Sequence, residues 1–264
     1  MRTTMRRAIQ LLALMLLIVA AGSAQGLHWK TTTTAMGKEL LNEVFLMPKM
    51  VKVVSEDGEV VILRLDKKVI YTVNAKEKQY SETTFDEFDR LMDKMASKTK
   101  AANEQMKDRL KNLPEAQRKM MEQMMGGAGK EAPATTKDTG ERKTIAGYNC
   151  TKYIIMQGDK ELVTVWATQD IKEFAGMRKD FEEFSKRMMG RNPAMGAAAG
   201  ELMKLQGFAM ETDYGTTMTQ VVTGMEKRST PASEYEVPSG YTKVQSKWQE
   251  QLEKAGGKEV KKEE

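Results

Sequence analysis

Short β-branched runs joined by tight turns fill the chain as far as Glu82, and that spacing constrains the fold more than any other feature. Trp29, Thr31, Thr33 and Ala35 alternate with Lys30, Thr32 and Thr34, the period of two that sends successive side chains to opposite faces of a strand. Val60 to Leu65 and Val69 to Asn74 flank Asp66-Lys67-Lys68, which reads as a hairpin turn, and Ala75 to Lys78 turns the chain again into Gln79-Tyr80-Ser81. Parallel neighbours need a crossover of a dozen or more residues. No such length is present, so the stretch from Leu27 to Glu82 is predicted to be an antiparallel meander.

The period changes at Thr84. Thr84 and Glu87 have the spacing of a capping box. Phe85, Phe88, Met92, Met95, Ala102, Met106, Leu110 and Leu113 then fall within one arc of about 100°, the apolar stripe of an amphipathic helix. Thr99 and Arg109 interrupt that stripe, which argues against a coiled-coil dimer, and a monomer is expected. Pro114 suits the first turn of a restarted helix running to Met125. Gly126 to Lys137, rich in Gly, Ala, Pro and Thr, reads as a loop. Strands are predicted again at Arg142 to Ala146, Tyr148 to Gln157 and Glu161 to Thr168. Asp170 and Glu173 open a second amphipathic helix with Phe174, Met177, Phe181, Phe184 and Met188 on one face. Gly190 to Gly200 reads as a small-residue break, and Phe208 to Asp213 with Thr216 to Lys227 as a final hairpin. Strand runs interrupted by helices argue α+β: one domain over residues 25–245, with insertions at 83–137 and 170–205 and a charged tail at 246–264.

The start of the chain has its own logic. Arg2, Arg6 and Arg7 precede an apolar run from Ala8 to Ala20, and Gly22-Ser23-Ala24 supplies the small residues of a cleavage site. The run is shorter than the about 20 apolar residues a spanning helix needs, so residues 1–24 are predicted to be a secretory signal cut after Ala24. No cysteine lies near that point to carry a lipid. The mature protein is expected to be soluble, exported and periplasmic. Losing three arginines brings the formal charge from +5 to +2. With Lys and Glu mixed throughout, there is no basic face for nucleic acid.

Catalytic chemistry finds little to work with. Cys150 is the only cysteine and His28 the only histidine, so neither a disulfide nor a Cys–His pair is readily built. There is no HExxH, and Gly126-Gly127-Ala128-Gly129-Lys130 lacks the glycine spacing and following Ser or Thr of a phosphate loop. No enzyme activity and no cofactor are expected. Methionine stands out at 22 residues. Its flexible thioether fills irregular gaps and suits surfaces that repack around varied apolar partners. A third reading is Cu(I) ligation by Met120, Met121, Met124 and Met125, with Met120 and Met124 one helical turn apart.

Several segments resemble a family of bacterial exported proteins, domain of unknown function number 4412. They are Leu65 to Asn74 with Lys78-Gln79-Tyr80-Ser81, then Lys143 to Tyr153 ("IAGYxCxKY"), Val165-Trp166-Ala167-Thr168 with Asp170-Ile171, and Glu236-Val237-Pro238-Ser239-Gly240-Tyr241 ("VPxGY"). The resemblance implies a fold related to periplasmic lipoprotein carriers, an open antiparallel half-barrel with helices packed on its concave side. It carries over no functional residue. On that fold the packing faces of the helices are also walls of a cavity. Phe85, Phe88, Met92, Trp166, Phe174, Met177, Phe181, Phe184 and Met188 thereby become the expected lining for a lipid or lipoprotein acyl chain. The alternative reading is a chaperone-like adaptor that grips an envelope protein with its long helix.

Overall fold

The computed structural model describes residues 26–111, 114, 115, 117, 132–189, 193–246 and 250. The predicted leader, Leu113, the methionine pairs Met120-Met121 and Met124-Met125, the Gly126 to Lys130 linker and most of the charged tail lie outside the described residues.

Six strands come first: β1 (Leu27–Ala35), β2 (Lys38–Met47), β3 (Met50–Ser55), β4 (Glu59–Arg64), β5 (Val69–Asn74) and β6 (Gln79–Thr84). Helix α1 (Phe85–Lys111) follows. Then come β7 (Ala134–Ile145), β8 (Tyr148–Gln157) and β9 (Lys160–Thr168), with α2 (Lys172–Met189) and α3 (Pro193–Lys204) after them. The hairpin of β10 (Phe208–Asp213) and β11 (Met218–Lys227) precedes a 3₁₀ turn at Ala232–Tyr235 and the short β12 (Thr242–Lys243). All twelve strands join one open sheet in the order β12-β6-β5-β4-β3-β2-β1-β11-β10-β9-β8-β7. The fold is therefore the expected α+β half-barrel, with β1 at its middle, paired to β2 on one side and β11 on the other.

Local chemistry explains the joints. Thr84 Oγ1 accepts the Glu87 N–H at 3.2 Å, while the Thr84 N–H donates to Glu87 Oε2 at 2.8 Å, so the capping box closes as its spacing predicts. The Thr84 backbone hydrogen bond, followed by one from the Thr84 hydroxyl to Oε2 at 2.9 Å, holds the Glu87 carboxyl below its ordinary range. The "AG" of the IAGY segment is a turn. Ala146 and Gly147 sit at φ 48° and 85°, the left-handed pair that a two-residue hairpin between Ile145 and Tyr148 requires.

Four features differ from the sequence reading. β7 starts at Ala134 instead of Arg142, because Thr135 and Thr136 continue the ladder against Met156 and Ile155 beyond a register shift between Asp138 and Arg142. The segment read as a small-residue break holds α3. Pro193 occupies its first position, alanine is the best helix former, and Ala198, Leu202 and Leu205 pack against Ile155, Val163 and Val165. The meander from Leu27 to Glu82 is antiparallel throughout, but the sheet as a whole is not. β12 pairs in parallel with β6, Thr242 N–H donating to Lys78 O at 2.9 Å and Val244 N–H to Tyr80 O at 2.8 Å. Packing also extends to Ser246, which is buried, one residue past the expected edge of the domain.

Directly opposed residues of antiparallel strands share a face. The register Leu27–Leu46–Val51–Leu63–Ile70 traces one face across β1 to β5. Helix α2 covers its near end, Ile171 and Met177 joining Leu27 and Leu46 in one core. The opposite face carries Met47, Ile62 and Val73, buried beneath Tyr235 with Val237 and Tyr241 alongside. The segment from Thr230 to Lys243 is thus a strap over the outer face.

Candidate ligand-binding face

The strap is anchored by a charge cluster. Arg64 is buried on β4 and grips Asp66 side-on, Nε to Oδ1 at 2.9 Å and Nη2 to Oδ2 at 2.7 Å. Its remaining donor meets Glu236 and the Tyr235 carbonyl, and Lys67 closes on Glu236 at 2.8 Å. The Arg64 hydrogen bond holds the Asp66 carboxyl below its ordinary range. For Glu236, burial pushes upward most strongly, but the hydrogen bonds from Lys67 and Arg64 together bring it below normal. Tyr235 is fully buried. Burial raises its hydroxyl to about 12, and that hydroxyl faces Thr230 without a well-formed hydrogen bond. These residues cover Met47, Ile62 and Val73 on the outer face.

The inner face is covered differently. Ile62 and Val73 on the outer face are 2% exposed, whereas Val51, Val53, Val61, Leu63 and Ile70 on the inner face are only half-buried. Two aromatic groups involve the helices, and the one of Trp29, Phe174 and Phe208 shares a core with Val51. Phe85 and Phe88 in the first turns of α1 are buried against Phe184 of α2, with ring centroids 5.2 and 6.4 Å apart. Phe174 stands edge-on to Phe208 at 4.9 Å, and Phe208 edge-on to Trp29 at 5.1 Å. Contacts of this kind add about 0.5–1.5 kcal/mol each beyond area burial.

Of the sequence-selected residues, Phe85, Phe88 and Phe184 come together, and Phe174, Met177 and Phe181 share the neighbouring core with Trp29 and Phe208. Met92 is half-buried one turn further along α1. Met188 lies in the last turns of α2, and its side chain is outside the described residues. Trp166 borders the same core but is roofed by cations. Lys143 Nζ sits 4.3 Å and Lys152 Nζ 5.9 Å from the ring centroid, and Lys143 is paired to Glu211 at 2.7 Å. The IAGYxCxKY segment supplies both lysines, so that motif and Val165-Trp166-Ala167-Thr168 meet in space.

Sequence reasoning missed a cleft of about 490 Å³ where α2 faces the loop that follows α3. Ile171, Phe174 and Met203 form its apolar part; Gln169, Lys179 and Gln206 are polar. Arg178 also borders it, but its donors are committed to the carbonyls of Met203 and Leu205 at the end of α3, where a cation satisfies carbonyls that have no helical partner. Separate stretches of chain supply these residues, so no local spacing signals the cleft. Elsewhere, Cys150 is fully buried and burial pushes its thiol up. His28 lies between Glu226 at 2.9 Å and Glu43 at 3.5 Å. Among the described residues no cluster of His, Cys, Asp and Glu could hold a metal ion, and no helix is long and apolar enough to cross a membrane.

Together the fold and its half-covered inner face define an open antiparallel half-barrel with a helical cover. The chain belongs to the Domain of unknown function (DUF4412) family, whose model matches residues 92–241. That span contains the IAGYxCxKY and VPxGY segments, while Leu65 to Ser81 lies before it. No curated protein matches the sequence. Among solved structures the chain is similar to PNGF-II at 12% identity and a TM-score of 0.39, over 88% of this chain and 33% of that one. It is also similar to a chain of the Pseudomonas aeruginosa MucA/MucB complex at 9% identity and a TM-score of 0.38, over 84% and 59%. The chain thus spans about a third of PNGF-II's length.

Proposed function

We propose that this protein is an exported binder or carrier of apolar groups, holding an acyl chain of a lipid or lipoprotein on the helix-covered face of its half-barrel. One observation carries the reading. Val51, Val53, Val61, Leu63 and Ile70 form a continuous apolar stripe left half-buried, while Ile62 and Val73 on the other face of the same strands are buried under Tyr235. Phe181, Phe184 and Phe174 on α2 and Met92 on α1 are likewise half-buried, as residues bordering a ligand space would be. The work is binding, not catalysis, which agrees with a sole thiol that is buried and held protonated. The compartment rests on the secretory signal predicted at residues 1–24.

A second reading, the adaptor, draws on α1, where Ala102 and Met106 of the apolar stripe are exposed. The test separates the two. Protein stripped of lipid is melted with increasing 1-decanol, a neutral apolar probe. A binder gains stability as RT ln(1 + [L]/Kd), about 2.7 kcal/mol at a hundredfold excess over Kd. A melting temperature unmoved at saturating probe overturns the apolar-binding reading and leaves the adaptor.

A further inference from the structure

We propose that the cleft between α2 and the loop after α3 receives the anionic head group, a carboxylate or a phosphate, of an amphiphile. Lys179 would be its charge partner. This rests on the apolar-binding reading and adds a head-group class to it.

The argument is a balance of charge and polarity. The cleft's volume of about 490 Å³ lies within the roughly 300–1,000 Å³ of small-molecule sites, where apolar walls accompany a few polar groups that fix orientation. Ile171 is buried and Phe174 and Met203 are half-buried on its apolar side, and Phe174 also touches Phe208 in the inner core. The apolar side therefore leads toward the face proposed to hold the chain. The polar side carries an unequal set of charges. Glu182 is neutralised by Lys186 at 2.8 Å, and the Arg178 donors are occupied by carbonyls. Lys179, exposed at the rim, makes no hydrogen bond or close ion pair among the described residues and acts on Glu182 only at a distance. Gln169 and Gln206 add amide donors at the same rim. Two cations against one paired carboxylate favour a negative ligand, and a lysine ammonium serves either a carboxylate or a phosphate as a point charge.

The probes share one chain length: decanoate, decyl phosphate and 1-decanol, with inorganic phosphate as the head group alone. Wild-type protein should bind the two anionic amphiphiles about tenfold tighter than the alcohol, 1.4 kcal/mol of charge interaction, and the gap should narrow in high salt. Lys179→Gln should erase the gap while leaving affinity for 1-decanol unchanged, and Lys179→Arg should restore it. Because Lys179 is exposed, neither variant threatens folding. If decanoate binds tighter than decyl phosphate the head is a carboxylate, and the reverse order, with inorganic phosphate competing, makes it a phosphate; either supports the proposal. Equal affinity for all three amphiphiles, or a gap that survives Lys179→Gln, overturns the head-group site and leaves apolar binding standing. If 1-decanol itself fails to bind, the apolar-binding reading falls and this inference with it.

Discussion

Phe208 and Phe181 belong to the same core, yet truncating them should give different results. Phe208 is 6% exposed and held edge-on by Phe174 and Trp29. Phe208→Ala therefore leaves a cavity inside packed structure, and the expected loss is about 3–5 kcal/mol. Phe181 is half-buried at the middle of the α2 apolar face. About a third of its ring at most is exposed, so Phe181→Ala should cost about two thirds as much, about 2–3.5 kcal/mol. At about 2–4 °C per kcal/mol for a domain of this size, the ligand-free melts should fall by roughly 6–20 °C for Phe208→Ala and 4–14 °C for Phe181→Ala. Ligand then separates the roles. The stabilisation that 1-decanol gives wild type should persist in whatever folded Phe208→Ala remains and should shrink clearly in Phe181→Ala. Differential scanning fluorimetry on delipidated protein, with and without probe, reads both. Equal large losses without ligand, together with an unchanged ligand response in Phe181→Ala, would show that α2 covers ordinary core and refute the reasoning.

Other expectations follow from single sites. The Asp66 and Glu236 carboxyls are both held below their ordinary values, so their ion pairs contribute stability present above the unfolded values, near pH 4, and lost as pH falls through the lower folded ones. Since the two side chains are 40% and 39% exposed, the effect is discounted toward that of surface pairs; Asp66→Asn should flatten the acid limb of a Tm-versus-pH curve below about pH 4. Gly207 has φ +109°, and a Cβ there would lie 2.4 Å from the Thr168 carbonyl oxygen, so Gly207→Ala should cost about 1–3 kcal/mol, read as a lower urea midpoint. Thr84→Ala removes the cap of α1 and should cost about 1 kcal/mol, with amide exchange accelerated first at Glu87. The Cys150 thiol, buried and pushed up, should resist a thiol reagent until the protein unfolds.

The parts of this fold that could be read in the sequence are those whose signal is local. Thr84 with Glu87, the turn at Asp66-Lys67-Lys68 and the Phe174–Met177–Phe181–Phe184 stripe each place their information within a few residues. α3 was misread because glycine and alanine were weighed together as small residues. Alanine propagates a helix, and Leu202 and Leu205 supply the packing that a local reading could not see. The first half of β7 was lost because Thr135 and Thr136 follow a Gly- and Pro-rich stretch, and their partners are Met156 and Ile155 on β8. Nothing periodic marks Thr230 to Lys243 as a strap. Its order depends on Arg64, whose burial comes from Tyr235 and Glu236 far along the chain. The apolar run Val60 to Leu63 reads correctly as a strand with both faces apolar, but not which face stays open.

That open face sets a scale for what the protein can hold. Burying an aliphatic side chain completely is worth about 1.5–3 kcal/mol relative to exposure. Five such residues, each no more than about a third exposed, therefore retain at most about 2.5–5 kcal/mol of unrealised burial. On the outer face the Met47, Ile62 and Val73 part of this reserve is given up to folding, because Tyr235 and the Arg64–Glu236 clasp lie over it. On the inner face the reserve is available only to something that arrives. Taken alone it corresponds to dissociation constants no tighter than about 0.2 mM, and the loss of ligand freedom on association weakens that further. Contacts to the Phe181 and Phe184 rings, and the charge of a head group at Lys179, add to it. A face of this kind holds its ligand reversibly, so it suits collecting an apolar group and giving it up again better than storing it.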